Sequence, residues 1–329
     1  MDTAITTPER LQELINAYRT SRIILTAFEL GVFTAVGTGD ADAARVARAV
    51  GADERGTDRL MNALCAIGLL EKRGGRFFNT PFGAERLVKG APRYLEGIRH
   101  SVNLWDTWHT LTDAVRAGHT VVNGDPACRD PNWFEGFIAA MHQRASAQAP
   151  RMIECMDLDG VMRAIDIGGG SGAYAIALAR AREGLRCTVF DLPNVIELAR
   201  GYVGRAGMLE RIDFVAGDFN EDDFGVGYDL ALLSAIIHMN SPDGNRRLFA
   251  KIAACLNPGG RLVVQDFVMN DDRTGPAVGA LFALNMLVGT SAGDTYTAAE
   301  IESWMREAGC ARTEARDTPF DASLVIGWK

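Results

Sequence analysis

The run Ala164-Ile165-Asp166-Ile167-Gly168-Gly169-Gly170-Ser171-Gly172-Ala173-Tyr174 constrains the fold most tightly, because an apolar strand pattern ends in glycines and a helical pattern begins directly after them. Glycines there let the backbone take positive φ and let a ligand approach the main chain with no Cβ in the way. The helix starting near Ser171 then turns its free N–H groups toward whatever anionic group is bound. From Arg163 onward strand and helix patterns alternate, with strands expected over residues 163–168, 186–190, 212–216, 229–234 and 261–267. Such alternation predicts an α/β fold with a Rossmann-like, doubly wound parallel sheet. Two last strands, near 311–317 and 323–328, follow without a helix between them; they complete a seven-stranded sheet and are expected to be its antiparallel edge. Ligands of such sheets sit beyond the carboxyl ends of the strands.

Alone, the loop is ambiguous, since Gly168-x-Gly170-x-x-Ala173 also satisfies the dinucleotide fingerprint of NAD enzymes. Three acids separate the readings. Asp166 lies inside the strand, in a D-x-G-x-G-x-G form where a carboxylate meets the α-amino group of a bound amino acid, a group NAD lacks. Asp191, in Thr188-Val189-Phe190-Asp191-Leu192-Pro193, stands where a βαβ unit places a carboxylate on ribose hydroxyls. Asp218, in Val215-Ala216-Gly217-Asp218-Phe219, can accept from an adenine amine while Phe219 covers the ring. An amine, a ribose and an adenine together describe S-adenosylmethionine. The residues expected to hold it are Asp166, Gly168, Gly170, Gly172, Asp191, Leu192, Gly217, Asp218 and Phe219.

At 329 residues and 47% hydrophobic content the chain is long enough for two cores. A net charge of −8 and the lack of a long basic run disfavour nucleic acid or an anionic membrane as partner. The six cysteines, Cys65, Cys128, Cys155, Cys187, Cys255 and Cys310, form no C-x-x-C pair, so reduced core thiols are expected rather than a zinc or disulfide framework. The five histidines show no two-histidine ligand spacing, and no metal is expected. Residues 1–12 lack an apolar leader, no stretch approaches 18 uninterrupted apolar residues, and the expected location is the cytoplasm.

Three segments are expected: 1–100, 101–160 and 161–329. The first reads as helices over 11–35 (broken at Gly31), 41–50 and 58–70, then a hairpin turning at Gly74-Gly75. Helix-turn-helix plus hairpin makes a winged helix. A groove-reading helix presents polar and basic side chains, whereas Asp58-Arg59-Leu60-Met61-Asn62-Ala63-Leu64-Cys65 offers only Arg59, so the apolar faces point to a homodimer interface instead. Residues 101–160 read as long helices rich in aromatics, with a loop over 124–131, linking to the main domain and contributing to an acceptor pocket.

With these pieces in place, the chain resembles the class I S-adenosylmethionine-dependent methyltransferases. More narrowly it is similar to the small-molecule O-methyltransferases with an N-terminal winged-helix dimerisation domain, the group holding the caffeate, acetylserotonin and bacterial polyketide enzymes. The glycine loop, Phe190-Asp191-Leu192-Pro193, Gly217-Asp218-Phe219, the segment ending in His238, and Asn257-Pro258-Gly259-Gly260-Arg261 carry the resemblance. It implies that His238, after the fourth strand, is the general base for an acceptor hydroxyl. Asp266 would orient it, Ser234 would contact adenine, and Trp105, Phe137, Met141, Asn285 and Met286 would line the acceptor pocket. Imidazole suits the task near neutral pH, although a phenol titrates about three to four units above it, so proton loss is expected to accompany methyl transfer.

The chain departs from the family in two places. A second acid expected shortly before Thr297 aligns with Thr295, with Asp294 adjacent but out of register, and the usual His-Asp-Trp is His238-Met239-Asn240. The resulting expectation is O-methylation of a phenolic or enolic hydroxyl on a small, largely aromatic acceptor. Carbon or nitrogen methylation, a non-methylating S-adenosylmethionine enzyme of the same fold, and a winged-helix ligand-sensing regulator stand as alternatives.

Overall fold

A computed structural model describes residues 5–122 and 133–329; the expected loop at 124–131 and Cys128 lie outside the described residues. The chain divides into two compact units, Met1–Trp105 and Asp106–Lys329.

In the first unit, α1 (Pro8–Leu30) begins where the Thr7 side chain accepts the Arg10 N–H at 3.2 Å and ends at Gly31. It is followed by α2 (Val32–Val36), α3 (Ala43–Val50) and α4 (Glu54–Ala66). The last starts four residues before the expected 58, because the Asp53 carboxylate accepts the Gly56 N–H at 2.9 Å and caps the helix there. Strands β1 (Leu70–Arg73) and β2 (Arg76–Asn79) form the antiparallel wing, and α5 (Pro81–Arg86) follows. Phe33, Met61, Leu64, Leu70 and Phe77 make this unit's core. One face of α1 leaves Leu11, Leu14, Ile15 and Tyr18 exposed, a spacing that puts four apolar side chains on a single stripe.

Helix α6 (Ile98–Trp108) runs across the division between units. The second unit continues with α7 (Leu111–Ala117), α8 (Trp133–Glu154), β3 (Arg163–Ile167), α9 (Ala173–Ala181), β4 (Arg186–Asp191), α10 (Pro193–Arg205), β5 (Ile212–Ala216) and β6 (Tyr228–Ser234). After a short 3-10 turn come α11 (Pro242–Cys255), β7 (Leu256–Asp266), β8 (Val268–Met269), α12 (Ala277–Gly289), β9 (Tyr296–Thr297), α13 (Ala298–Glu307), β10 (Arg312–Arg316) and β11 (Ser323–Trp328).

The sheet has seven strands in the order β10-β11-β7-β6-β3-β4-β5, parallel except where β11 runs antiparallel to both neighbours. From β3 the chain winds outward through β4 and β5, then returns to lay β6 on the other side of β3. The order therefore reverses between β3 and β6, which opens a crevice at their carboxyl ends. Strand alternation serves both faces. Ala164, Val189, Leu230 and Leu232 enter the core under α8, α9 and α10, whereas Ile165, Ile167, Phe190 and Leu233 enter the core under α11 and α13. Among the described residues no helix is long and apolar enough to cross a membrane.

Candidate active site

The same alternation aims the first acid. Asp166 shares a face with Ala164, and on the neighbouring strand Asp191 shares that face with Val189, the register partner of Asp166. Asp166 is only 1% exposed, and neither carboxyl oxygen completes a hydrogen bond. Burial first, and the nearby Asp191 charge second, push its pKa up to about 7 against the smaller opposite pull of the Ala175 N–H. A buried carboxyl without a partner is costly by itself and becomes favourable opposite a cation.

The loop after it is equally specific. Gly168 takes φ 66, and a Cβ there would lie 2.3 Å from Ile236 Cδ1. Helix α9 starts at Gly172 with no side-chain cap, which leaves first-turn N–H groups for a ligand. Asp191 accepts from Gly170 N–H at 2.8 Å and from Leu192 N–H at 2.7 Å, so it braces the loop as well as facing the crevice. Burial outweighs both bonds and raises its pKa. Leu192 itself is exposed. Beyond β5, buried Gly217 leads into Asp218 and Phe219, which line a cavity of about 330 Å³ with Leu248 and Lys251. Asp218 there accepts the Asn220 N–H at 2.8 Å, and Lys251 donates to the Phe219 carbonyl at 3.0 Å.

On the other side of β3 the chain assembles a histidine. Ala235, directly after β6, has φ 58, a conformation that costs a non-glycine residue on the order of 1–3 kcal/mol, and the chain then turns through Ile237–Met239. His238 is buried, and its Nδ1 lies 2.8 and 3.0 Å from the two oxygens of buried Asp266 at the end of β7. Asp266 also accepts the Phe267 N–H at 2.8 Å, which holds the carboxylate still. An Nδ1–H donated to that carboxylate leaves Nε2 as the free acceptor. The imidazole edge meets the Phe282 ring 4.8 Å away, and Phe282 packs on Phe267 at 4.4 Å. From behind, Asp294 N–H donates to the His238 carbonyl at 3.0 Å. That approach needs glycine at 293, where a Cβ would lie 2.4 Å from the same carbonyl oxygen.

Neither residue at the departed family position offers a free acid. Thr295 is buried, and its carbonyl accepts from Arg273 at 2.6 Å; the Asp294 carboxylate accepts the Thr295 N–H at 2.8 Å and faces Arg273 at 3.4 Å. Ser234 donates to Gln265 Oε1 at 2.6 Å, and Tyr174 donates to the same oxygen at 3.1 Å. Of the expected acceptor residues, Phe137 and Met141 lie on α8, with Phe137 stacked 5.2 Å from Trp133. Met286 is buried on α12, and Asn285 accepts from Trp108 Nε1 at 2.8 Å. Trp105 belongs to the first unit, where Arg22 lies 5.5 Å from its ring. A cleft of about 440 Å³ opens beside α12 between Leu284, Leu287, Arg273 and Tyr296, and His238 is not among the residues that line it.

Several participants escape a sequence reading. His142 reaches down from α8 to Ser171 Oγ at 2.8 Å and lies 4.0 Å from the Tyr202 ring; burial and Arg205 lower its pKa. Gln265, Phe267 and Phe282 give no signal of their own. Each is an ordinary strand or helix residue until the sheet order places it beside His238 or Ser234.

The chain matches the family described as the O-methyltransferase domain over residues 108–311 and the O-methyltransferase dimerisation domain over residues 12–89. It is 37% identical to the 3-hydroxy-5-methyl-1-naphthoate 3-O-methyltransferase of Streptomyces sahachiroi, covering 98% of this chain and 95% of that one. It is 30% identical to the tetracenomycin polyketide synthesis 8-O-methyl transferase TcmO of Streptomyces glaucescens, covering 98% and 97%. Human N-acetylserotonin methyltransferase, solved in complex with SAM, superposes with a TM-score of 0.80 at 27% identity, covering 100% of this chain and 99% of that one.

Proposed function

The chain belongs to the S-adenosylmethionine-dependent O-methyltransferases, and from that premise we propose that it methylates a phenolic or enolic hydroxyl of a small aromatic acceptor with His238 as general base. The observation that carries this reading is the His238–Asp266 pair at 2.8 Å, buried and backed by an aromatic wall. Bound S-adenosylmethionine supplies an electrophilic methyl group on a sulfonium. The orphaned Asp166 carboxyl fits the donor's ammonium, Asp191 fits the ribose, and Asp218 with Phe219 fits the adenine. Gly168, Gly170 and Gly172, all at positive φ, would keep the loop close to the donor, Leu192 and Gly217 would flank it, and Ser234 would contact the adenine.

Asp266 would hold the His238 ring in the tautomer whose Nε2 accepts the proton of the acceptor hydroxyl. Phe137, Met141, Asn285 and Met286 would line the acceptor. Holding acceptor and donor in line can supply roughly 7–11 kcal/mol, against about 3–5 kcal/mol from a general base, so positioning dominates.

The relatives that share most of this chain's length act on aromatic hydroxyls by name, and a naphthoate- or polyketide-like acceptor of secondary metabolism is the corresponding reading here. Residues 1–100 serve as a homodimerisation domain through the apolar stripe of α1, residues 101–160 contribute to the acceptor pocket, and residues 161–329 hold the donor. The protein works in the cytoplasm. Calorimetric titration with S-adenosylhomocysteine, with NAD as control, tests the donor site, and mass spectrometry of phenolic acceptors incubated with S-adenosylmethionine tests the transfer. Micromolar S-adenosylhomocysteine binding without NAD binding is expected; tight NAD binding would overturn the reading.

A further inference from the structure

Helix α8 crosses the site with two working faces. Ile138 and His142, four residues apart, turn toward the glycine loop: Ile138 Cδ1 lies 3.7 Å from where a Gly170 Cβ would be, and His142 bonds Ser171. Phe137, Met141 and Arg144 fall at i, i+4 and i+7, so they form a different stripe on the same helix. Arg144 is half-buried, and its guanidinium lies 4.9 Å from the centroid of the Phe267 ring. Phe267 adjoins Asp266 in sequence and packs on Phe282, the ring against which His238 rests. Among the described residues Arg144 has no hydrogen bond and no ion pair.

A guanidinium is always charged, carries five donors in a planar fork, and stacks readily on an aromatic face while its edge stays available. In a protein otherwise rich in paired arginines, a half-buried one facing an aromatic wall with all its donors unspent is a receptor for an anion. Its stripe is that of Phe137 and Met141, whereas the donor's loop is served by the other face of α8. We infer that Arg144 selects the acceptor: the enzyme takes hydroxyarenes bearing a carboxylate, and the guanidinium clamps that carboxylate while the hydroxyl is presented to His238. This rests on the aromatic O-methyltransferase reading and narrows its substrate class. A charge-assisted fork of this kind is worth about 10- to 100-fold in selectivity over a ligand lacking the anion.

The test compares 3-hydroxy-1-naphthoate with 2-naphthol, the same hydroxylated bicycle without the carboxylate. Binding of each is measured by calorimetry to the full-length protein saturated with S-adenosylhomocysteine. The expected result is at least tenfold tighter binding of the naphthoate, lost in Arg144→Gln and partly kept in Arg144→Lys, with S-adenosylhomocysteine affinity unchanged in both variants. Equal binding of the two probes by the unaltered protein would overturn the inference without any variant being needed. So would an equal loss of both probes in Arg144→Gln. A tenfold fall in S-adenosylhomocysteine affinity in that variant would also overturn it, since the guanidinium would then belong to the donor's own carboxylate. Because the readout is binding, a failure of methyl transfer to every phenol would strike the catalytic reading and leave the arginine's selectivity separately measured.

Discussion

The two sides of the crevice are built differently. On the β3–β4 side, the residues proposed to hold the donor come from strand ends and the turns directly after them: Asp166, the glycine loop, Asp191 and Asp218 all lie within a few residues of a strand terminus. On the β6–β7 side, His238, Asp266, Phe282 and Arg144 come from a turn, a strand end and two helices that are up to 138 positions apart in the chain (282 − 144). The first side is therefore shaped by local backbone chemistry and the second by packing. Local geometry can serve one invariant ligand, whereas surfaces contributed by separate helices can be altered one at a time to fit different acceptors.

If the division holds, changes on the acceptor side alter turnover and leave donor affinity alone, and changes on the donor side do the reverse. The largest effect is expected for His238→Ala, with turnover down by about 10²–10⁴-fold while calorimetry gives an unchanged S-adenosylhomocysteine affinity. Retention of full turnover on a phenol would remove His238 from the chemistry. Next, Asp166→Asn is expected to weaken S-adenosylhomocysteine by about 2–5 kcal/mol, since the ammonium loses its buried counter-charge. The same variant is expected to keep or raise its melting temperature without ligand at neutral pH, because the buried carboxyl it removes has no completed hydrogen bond and is costly to ionise in the folded chain. A lowered melting temperature with intact affinity would reassign Asp166 to structure.

Gly168→Ala is expected to cost roughly 1–3 kcal/mol of stability, from φ 66 and from a Cβ placed 2.3 Å from Ile236 Cδ1. Ile236→Ala in the same chain should recover the steric part alone, measurable as a double-mutant cycle in denaturant. The smallest effect concerns pH. With Asp166 raised to about 7, its ionised fraction grows through neutrality, so S-adenosylhomocysteine affinity is expected to rise about tenfold from pH 6 to pH 8. Ligand-free stability moves the other way: the folded state holds a proton that the unfolded state has released above its ordinary carboxylate range, so stability falls as pH rises toward 7 and then levels off. A flat binding profile in the parent protein, or an unchanged one in Asp166→Asn, would uncouple this carboxyl from the donor.

Much of the architecture was legible because it is written in short-range signals. Alternating apolar strands, the Gly74-Gly75 turn and the glycine loop each declare themselves within about ten residues, and the antiparallel edge formed by β10 and β11 follows from two strands with no helix between them. Helix boundaries are set by caps rather than by apolar periodicity, which is why α4 starts at Glu54, after its Asp53 cap, and not at 58. Within the site, His238 and Asp266 could be named through family resemblance, but nothing in either segment says that they touch. That follows from β6 and β7 lying side by side with Ser234 opposite Gln265, which brings the turn after one strand to the end of the other. The bond from Trp108 to Asn285 has a similar origin, since only packing brings α6 and α12 residues 177 positions apart into contact.

The order of residues along this chain determined a doubly wound sheet, a glycine loop and three acids at its strand ends, and an N-terminal run of helices with a two-stranded wing, because each depends on backbone conformations and side-chain periods that neighbouring residues impose. Packing decided the burial of Asp166 without a completed hydrogen bond, the pairing of Asp266 with His238, and, among the described residues, the unpaired guanidinium of Arg144 above Phe267. Those properties depend on burial and on distances between groups far apart in the chain, and both come into existence only when the sheet and its covering helices close on one another.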